Sequence, residues 1–184
     1  MQISDLKAEL ERLHQASFGW ALHCCLRNRA QAEEVLQAVY LKILQGNPCY
    51  RNESSVKTWL FAVIRKTASS ERRKHLLEAL KTITAGRSET REPDQVQAQL
   101  ERSEMQRQFQ QALARLPARQ RETLHLVFYQ DLSLSEAAEV MSISVGSARR
   151  HYERGKQRLR EMLDREGVDY GIRWRRKESS GAVL

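Results

Sequence analysis

The segment LPARQRETLHLVFYQDLSLSEAAEVMSISVGSARRHYERGKQRLREML, residues 116–163, decides the fold, because it holds three helical patterns separated by two short turns. Pro117 suits the first turn of the opening helix. Ser133 and Glu136 have the spacing of a capping box ahead of a short second helix. Ser144 suits the N-cap of a third helix. Together these signals predict a helix-turn-helix.

The third helix of this motif is basic around its first turns. Arginine pairs bidentately with guanine or grips phosphates, and serine serves base edges or backbone. A helix of this kind suits the major groove of DNA, although a solvated basic helix in an ordinary bundle is the alternative. The candidate DNA-binding residues are Ser144, Ser147, Arg149, Arg150, His151 and Arg154.

The N-terminal half predicts three more helical stretches. Apolar periodicity runs from Asp5 to Arg29, a second pattern spans residues 30–46, and a third follows a cap at Ser54 or Ser55. The third stretch is basic and carries an aromatic side chain, which suits single-stranded DNA, although Trp59 also fits a structural place in the core. Its candidate DNA-binding residues are Lys57, Trp59, Arg65, Lys66, Arg72 and Arg73.

A segment of different composition separates the two predicted helical halves of the chain. Residues 1–75 and 105–166 are predicted helical domains, and residues 76–104 form a predicted flexible linker with a weak helix from Gln95 to Phe109. Residues 167–184 form a basic C-terminal tail.

The whole chain of 184 residues has a net charge of +8, which fits a nucleic-acid partner without proving one. No apolar run approaches transmembrane length and no signal peptide is apparent, so a cytoplasmic location is expected, without membrane insertion. Cys24, Cys25 and Cys49 lack a metal or disulfide spacing and are expected to be reduced packing residues. No cofactor site, metal site or enzyme centre is expected from these patterns.

Residues 112–163 resemble region 4 of the extracytoplasmic-function sigma factors of bacteria. The shared features are LPARQRE at 116–122, the LSLSEAAE helix at 132–139 and Val-Gly-Ser before the basic helix. Ser142 replaces the usual turn glycine, and Ala137 and Ala148 replace larger apolar residues. We therefore expect a related domain that is somewhat less stable.

The N-terminal half resembles region 2 of the same family. RNESSVKTWLFAVIRKTASSERRK, residues 51–74, is similar to regions 2.3 and 2.4, with Lys66 where the family commonly has Asn. Residues 31–37 resemble the acidic region 2.2, with acidity lost at Gln31 and Ala38. In that family this surface docks on polymerase, and the implied polymerase-binding residues are Glu33, Glu34, Gln37 and Leu41.

The resemblance implies an all-α protein of two small helical domains, sigma region 2 and sigma region 4, joined by a flexible linker. It implies three partners: core RNA polymerase, promoter DNA and an anti-sigma protein. Catalysis would then belong to the polymerase. Two other functions stay open at this point: a stand-alone helix-turn-helix regulator that dimerises through its N-terminal half, and a degenerate sigma-like interaction protein.

Overall fold

The computed structural model describes residues 3–46, 49–84 and 104–165, and these residues form helices without a β-strand. The predicted all-α class is therefore confirmed. The tail predicted at 167–184 lies outside the described residues. The helices are α1 (Ile3–Arg12), α2 (His14–Cys24), α3 (Arg29–Leu44), α4 (Val56–Thr84), α5 (Glu104–Ala114), α6 (Ala118–Phe128), α7 (Leu134–Met141) and α8 (Val145–Arg165).

The first predicted helix differs from the structure in two respects. It is divided at Leu13 into α1 and α2, and it ends at Cys24 instead of continuing to Arg29. It ends there because Leu26 and Arg27 take positive φ angles of 53° and 67°, a backbone conformation that no α-helix contains. The chain then reverses into α3.

Local caps set the starts of α3 and α4. The Asn28 side chain accepts a hydrogen bond from the Gln31 N–H at 3.0 Å, and the Ser55 hydroxyl accepts one from the Thr58 N–H at 3.1 Å. Each bond satisfies an N–H group that has no partner within its helix. Trp20 then ties α2 to α4, since its buried indole N–H donates to the Phe61 carbonyl at 2.9 Å.

The predicted helix-turn-helix is confirmed. Ser133 and Glu136 form both bonds of the capping box, and the Ser133 hydroxyl is the main cause of a lowered pKa for the Glu136 carboxyl. Ser142 ends α7 in the left-handed region, at φ 53° and ψ 50°. The turn therefore keeps the geometry that glycine would favour, with a serine in its place.

Helices α6 and α8 approach closely at Gly155. A Cβ atom on this glycine would lie 3.1 Å from Leu124 Cδ1 and 3.3 Å from Gln120 Cβ. No pattern in the sequence marks Gly155, yet this glycine sets how α8, the basic helix, packs on α6.

The largest buried cluster crosses from one half of the chain to the other. It joins apolar residues of α1–α4 to Leu126 of α6, to Leu132, and to Ala137, Val140 and Met141 of α7. A smaller cluster of Ala112, Leu116, Leu124, Leu159 and Leu163 packs α5 and α6 against α8. The two predicted units thus share a core in this structure.

The segment between the two halves is helical at both of its described ends. Helix α4 continues past the predicted domain boundary at residue 75 to Thr84. Residues 104–109 of the helix predicted from Gln95 to Phe109 lie in α5, which continues to Ala114, and the earlier part of that prediction lies outside the described residues. Residues 85–103 lie outside the described part of the chain. None of the described helices combines the length and the apolar character that a membrane span requires.

Candidate nucleic-acid interface

Four of the six predicted duplex-binding residues lie together at the N-terminal end of α8, namely Ser144, Ser147, Arg149 and Arg150. The Ser144 hydroxyl accepts a hydrogen bond from the Ser147 N–H at 3.2 Å and lies 2.9 Å from the Ser147 hydroxyl. Arg150 Nη2 donates to Ser147 Oγ at 3.4 Å. Both arginines of the pair Arg149 and Arg150 are exposed. This helix end therefore offers hydroxyl groups and guanidinium groups to an approaching strand.

One face of α8 extends this surface along the helix. Ser147, Arg150 and Arg154 follow one another at spacings of three and four residues, which places them on the same face, whereas His151 is half-buried. Arg158 continues the stripe by a further four residues and is exposed. Arg158 was not among the predicted DNA-binding residues, although its four-residue spacing from Arg154 would have identified it.

Helix α4 divides its predicted DNA-binding residues between two sides. Trp59, Lys66 and Arg73 are spaced by seven residues, which amounts to nearly two full turns, so they lie on one side. Lys66 and Arg73 are exposed, and Trp59 is half-buried beside Tyr50, with ring centroids 5.3 Å apart. We call Trp59, Lys66 and Arg73 the open stripe of α4.

Two other predicted residues of α4 contact the C-terminal half of the chain instead. Lys57 Nζ donates to the Gln130 carbonyl oxygen at 2.5 Å. Arg65 Nη2 forms an ion pair with Glu122 Oε2 at 3.2 Å, with both side chains about one-fifth exposed, at 21% and 19%. The structure therefore does not bring these two cations together with the open stripe.

Arg72 lines a groove of about 250 Å³ between α2, α3 and α4. Cys24 and Cys25 also line it, and burial raises the pKa of both thiols, that of Cys25 to about 11. Since the thiolate is the reactive form, neither cysteine is set up as a nucleophile or redox centre. Among the described residues, no group of three or more His, Cys, Asp or Glu side chains is placed to hold a metal ion.

Helix α3 exposes all four predicted polymerase-binding residues on one face. Glu33 also pairs with Arg29 Nε at 2.9 Å, so part of its charge is balanced within the helix. Leu41 and Leu44 are each 59% exposed, and Leu44 lies on the same face as Leu41, three residues further along. Leu44 is thus an additional apolar candidate for this surface.

Two buried histidines lie where the halves meet. The rings of His23 and His125 are 4.2 Å apart between centroids, and the indole of Trp20 lies 5.4 Å from His125. Burial lowers the pKa of His23 to about 2, with further contributions from His125, Arg121 and Arg27. Burial likewise lowers the pKa of His125 to about 4. Both rings are neutral at pH 7.

Comparison with known families matches both halves of the chain. Residues 10–76 match the family described as Sigma-70 region 2, and residues 106–159 match the family described as Sigma-70, region 4. The helix caps at Asn28, Ser55, Ser133 and Ser144 fall within these matches.

Proteins that are similar to this chain over most of its length agree with these family matches. The chain is 29% identical to the ECF RNA polymerase sigma factor SigX of Bacillus subtilis over 86% of this chain and 85% of that protein. It is 28% identical to the ECF RNA polymerase sigma factor EcfG of Rhodopseudomonas palustris over 78% of each.

Solved structures show the same architecture. The sigma factor RpoE of Bartonella quintana, crystallised in complex with the anti-sigma factor NepR, matches with a TM-score of 0.68 and 27% identity, over 88% of this chain and 98% of that one. CnrH in complex with the cytosolic domain of CnrY matches with a TM-score of 0.59 at 17% identity, over 90% and 91%, which shows the fold alone.

Proposed function

Because the chain belongs to the extracytoplasmic-function sigma factors of the sigma-70 family, we propose a division of labour among its three surfaces. Helix α3 binds core RNA polymerase through Glu33, Glu34, Gln37 and Leu41. Helix α8 reads duplex promoter DNA. The open stripe of α4 holds the melted strand. The protein then starts transcription on promoters that both DNA-binding surfaces select, while the polymerase supplies catalysis.

The exposed arginines at the start of α8, next to the hydroxyl groups of Ser144 and Ser147, carry this proposal. A rigid helix mounted on a capped α7, with cations on its outer face, is the arrangement by which helix-turn-helix proteins enter the major groove. Contacts from Arg149 and Arg150 to guanine edges or phosphates would each contribute about 1–3 kcal/mol of binding free energy.

The open stripe of α4 supports the second DNA-binding role. Single-stranded DNA is held by cations that follow the phosphates and by flat side chains on which bases stack. Lys66 and Arg73 supply the cations, and Trp59 with Tyr50 supplies aromatic surface at the end of the stripe. Lysine donates hydrogen bonds and accepts none, so Lys66 would prefer a base or phosphate that presents acceptors.

Run-off transcription tests the proposal. Purified core polymerase is combined with this protein on a pool of genomic fragments that includes the gene's own upstream region. We expect specific new transcripts, and their absence with a core preparation that a housekeeping sigma factor activates would contradict the function.

The double variant Arg149→Ala with Arg150→Ala tests the assignment of α8. We expect promoter binding to fall by at least about 30-fold, because the two contacts contribute on the order of 1–3 kcal/mol each, while binding to core polymerase is unchanged. Lys7→Ala with Arg12→Ala is the matched control, since it removes two exposed charges from α1. An equal loss of core binding in the α8 variant would contradict the assignment.

A cognate anti-sigma protein is a further proposed partner. It is supported by the likeness to the sigma factor RpoE, whose structure was solved with the anti-sigma factor NepR. Because its polymerase and promoter partners are cytoplasmic, we place the protein there as well. Co-expression with a neighbouring gene product that forms a stable complex and silences run-off transcription would identify the partner.

The stand-alone regulator is not favoured. Its N-terminal half would serve dimerisation, whereas residues 10–76 match Sigma-70 region 2. The α3 face also remains exposed in a single chain, as a polymerase-docking surface must be.

A further inference from the structure

Two serine hydroxyl groups and one guanidinium group form a chain of hydrogen bonds at the start of α8. The Ser144 hydroxyl accepts from the Ser147 N–H at 3.2 Å and donates to Ser147 Oγ at 2.9 Å. Arg150 Nη2 donates to the same Ser147 oxygen at 3.4 Å. Ser144 is the N-cap residue, so its bond to the Ser147 N–H ties its side chain to the helix. Ser144 thus anchors Ser147, and Ser147 in turn restrains Arg150.

The bond to Ser147 leaves most of the Arg150 guanidinium available. A guanidinium group has several N–H donors in a rigid fork and accepts no hydrogen bond. Only one nitrogen of Arg150 contacts Ser147, and the side chain is exposed. The rest of the fork can therefore meet an outside partner that presents acceptors, in an orientation set before that partner arrives.

Guanine is the base whose major-groove edge matches such a fork. Its O6 and N7 atoms are both acceptors, whereas adenine sets an amino donor beside its N7 acceptor and cytosine presents an amino donor. Thymine offers one acceptor and a methyl group. A side chain that is ordered before binding also loses less rotamer freedom when it docks. The restrained Arg150 thus favours guanine over the other three bases.

Arg149 differs from its neighbour Arg150 in direction and in restraint. Successive residues of an α-helix point about 100° apart, so the two side chains leave α8 in different directions. Arg149 is exposed and makes no side-chain hydrogen bond or ion pair with another described residue. A long cation of this kind suits a phosphate, because phosphate contacts position a protein on DNA without reading its sequence.

We propose that Ser147 is a positioning residue for base recognition: anchored by Ser144, it holds the Arg150 guanidinium so that Arg150 reads one guanine of the upstream promoter duplex, while Arg149 binds a phosphate. This assignment rests on the proposed function, since it concerns the DNA-binding surface of α8. It goes further by giving two adjacent arginines different roles and by making the preference for one base depend on a serine.

Selection from randomised duplexes tests the roles of the two arginines. The full-length protein, alone and bound to core polymerase, selects from copies of the gene's own upstream region in which successive segments are randomised. We expect the parent protein to enrich a guanine at one position. Arg149→Lys and Arg150→Lys each keep the charge and remove the planar fork. Only Arg150→Lys should weaken the preference for that guanine, by about tenfold, and any other pattern would overturn the proposal.

Variants of Ser147 test whether its hydroxyl acts through Arg150. Ser147→Ala should lower the preference for the guanine about fivefold, because Arg150 must then be ordered on binding. Ser147→Thr keeps the hydroxyl and should retain the preference. Ser70→Ala is the control, since it removes an exposed serine hydroxyl from α4.

The cycle of single and double variants separates positioning from a purely structural role. A merely structural Ser147 would weaken binding of all duplexes equally and leave the preference for guanine unchanged. In the Arg150→Lys background, Ser147→Ala should cause no further loss of preference. An undiminished preference in Ser147→Ala, or an equal further loss in the Arg150→Lys background, would overturn the proposal.

The salt dependence of duplex binding tests the phosphate contact. The logarithm of the affinity falls with the logarithm of the salt concentration, with a slope that is proportional to the number of phosphates contacted. Arg149→Gln should reduce that slope by about one, whereas Ser147→Ala should leave it unchanged. A slope reduced by Ser147→Ala would show that the serine binds phosphate and would overturn the proposal.

The sigma function and the role of Ser147 fail separately. Promoter-specific transcripts from a protein whose guanine preference survives Ser147→Ala would remove the positioning role and leave the sigma function intact. A guanine preference of the free protein that requires Ser147, without transcripts in a core preparation that another sigma factor activates, would contradict the sigma function and support the role of Ser147.

Discussion

Gly155 in the middle of α8 allows the basic helix to lie close against α6, and replacing it with alanine tests that packing. A new Cβ atom would lie 3.1 Å from Leu124 Cδ1 and 3.3 Å from Gln120 Cβ, closer than ordinary van der Waals contact. Both neighbours are buried in the interface, so they have little room to move.

Two contributions of opposite sign decide how Gly155→Ala changes the free energy of unfolding. Alanine favours a helix interior over glycine by about 1 kcal/mol, and overpacking a filled site costs about 1–3 kcal/mol. The expected net loss for Gly155→Ala is about 1 kcal/mol in the free energy of unfolding. Gly146 on the same helix has nothing within 4 Å of its hypothetical Cβ. Gly146→Ala therefore gains the preference of a helix for alanine over glycine and has no overpacking cost.

Urea unfolding followed by far-ultraviolet circular dichroism measures both variants against the parent. We expect Gly146→Ala to gain about 0.5–1 kcal/mol and the two variants to differ by roughly 2 kcal/mol. If Gly155→Ala is as stable as Gly146→Ala, then α6 and α8 are not tightly packed at this point, and the reasoning is wrong.

Three further predictions concern the turn, the polymerase face and the histidines. Ser142→Gly should raise the free energy of unfolding by about 0.5 kcal/mol in urea titration, because relief of left-handed strain exceeds the added chain entropy, and Ser142→Ala should give no gain. Glu33→Lys with Glu34→Lys should weaken core polymerase binding about tenfold in a filter or anisotropy assay, with α8 binding to duplex DNA unchanged. Since burial lowers the pKa of His23 and His125, the unfolded chain binds more protons below pH 6.5. Stability should therefore fall by about 2 kcal/mol per histidine between pH 7 and pH 5, and His125→Phe should reduce the fall.

Local signals in the sequence predicted much of this fold. The capping box at Ser133, the caps at Ser55 and Ser144 and the left-handed strain at Ser142 all follow from residues within a few positions of one another. Such signals act over one helical turn, so they can be read from the chain without knowing its packing.

The contact between the two halves could not be predicted in this way. Lys57 and Gln130 are 73 positions apart, and no periodicity or cap links them. All six candidate residues of α4 were predicted as one DNA-binding group, because the sequence could not show which side of α4 region 4 would cover. Gly155 was likewise missed, because a glycine inside a helix acquires its role only from the neighbour that approaches it.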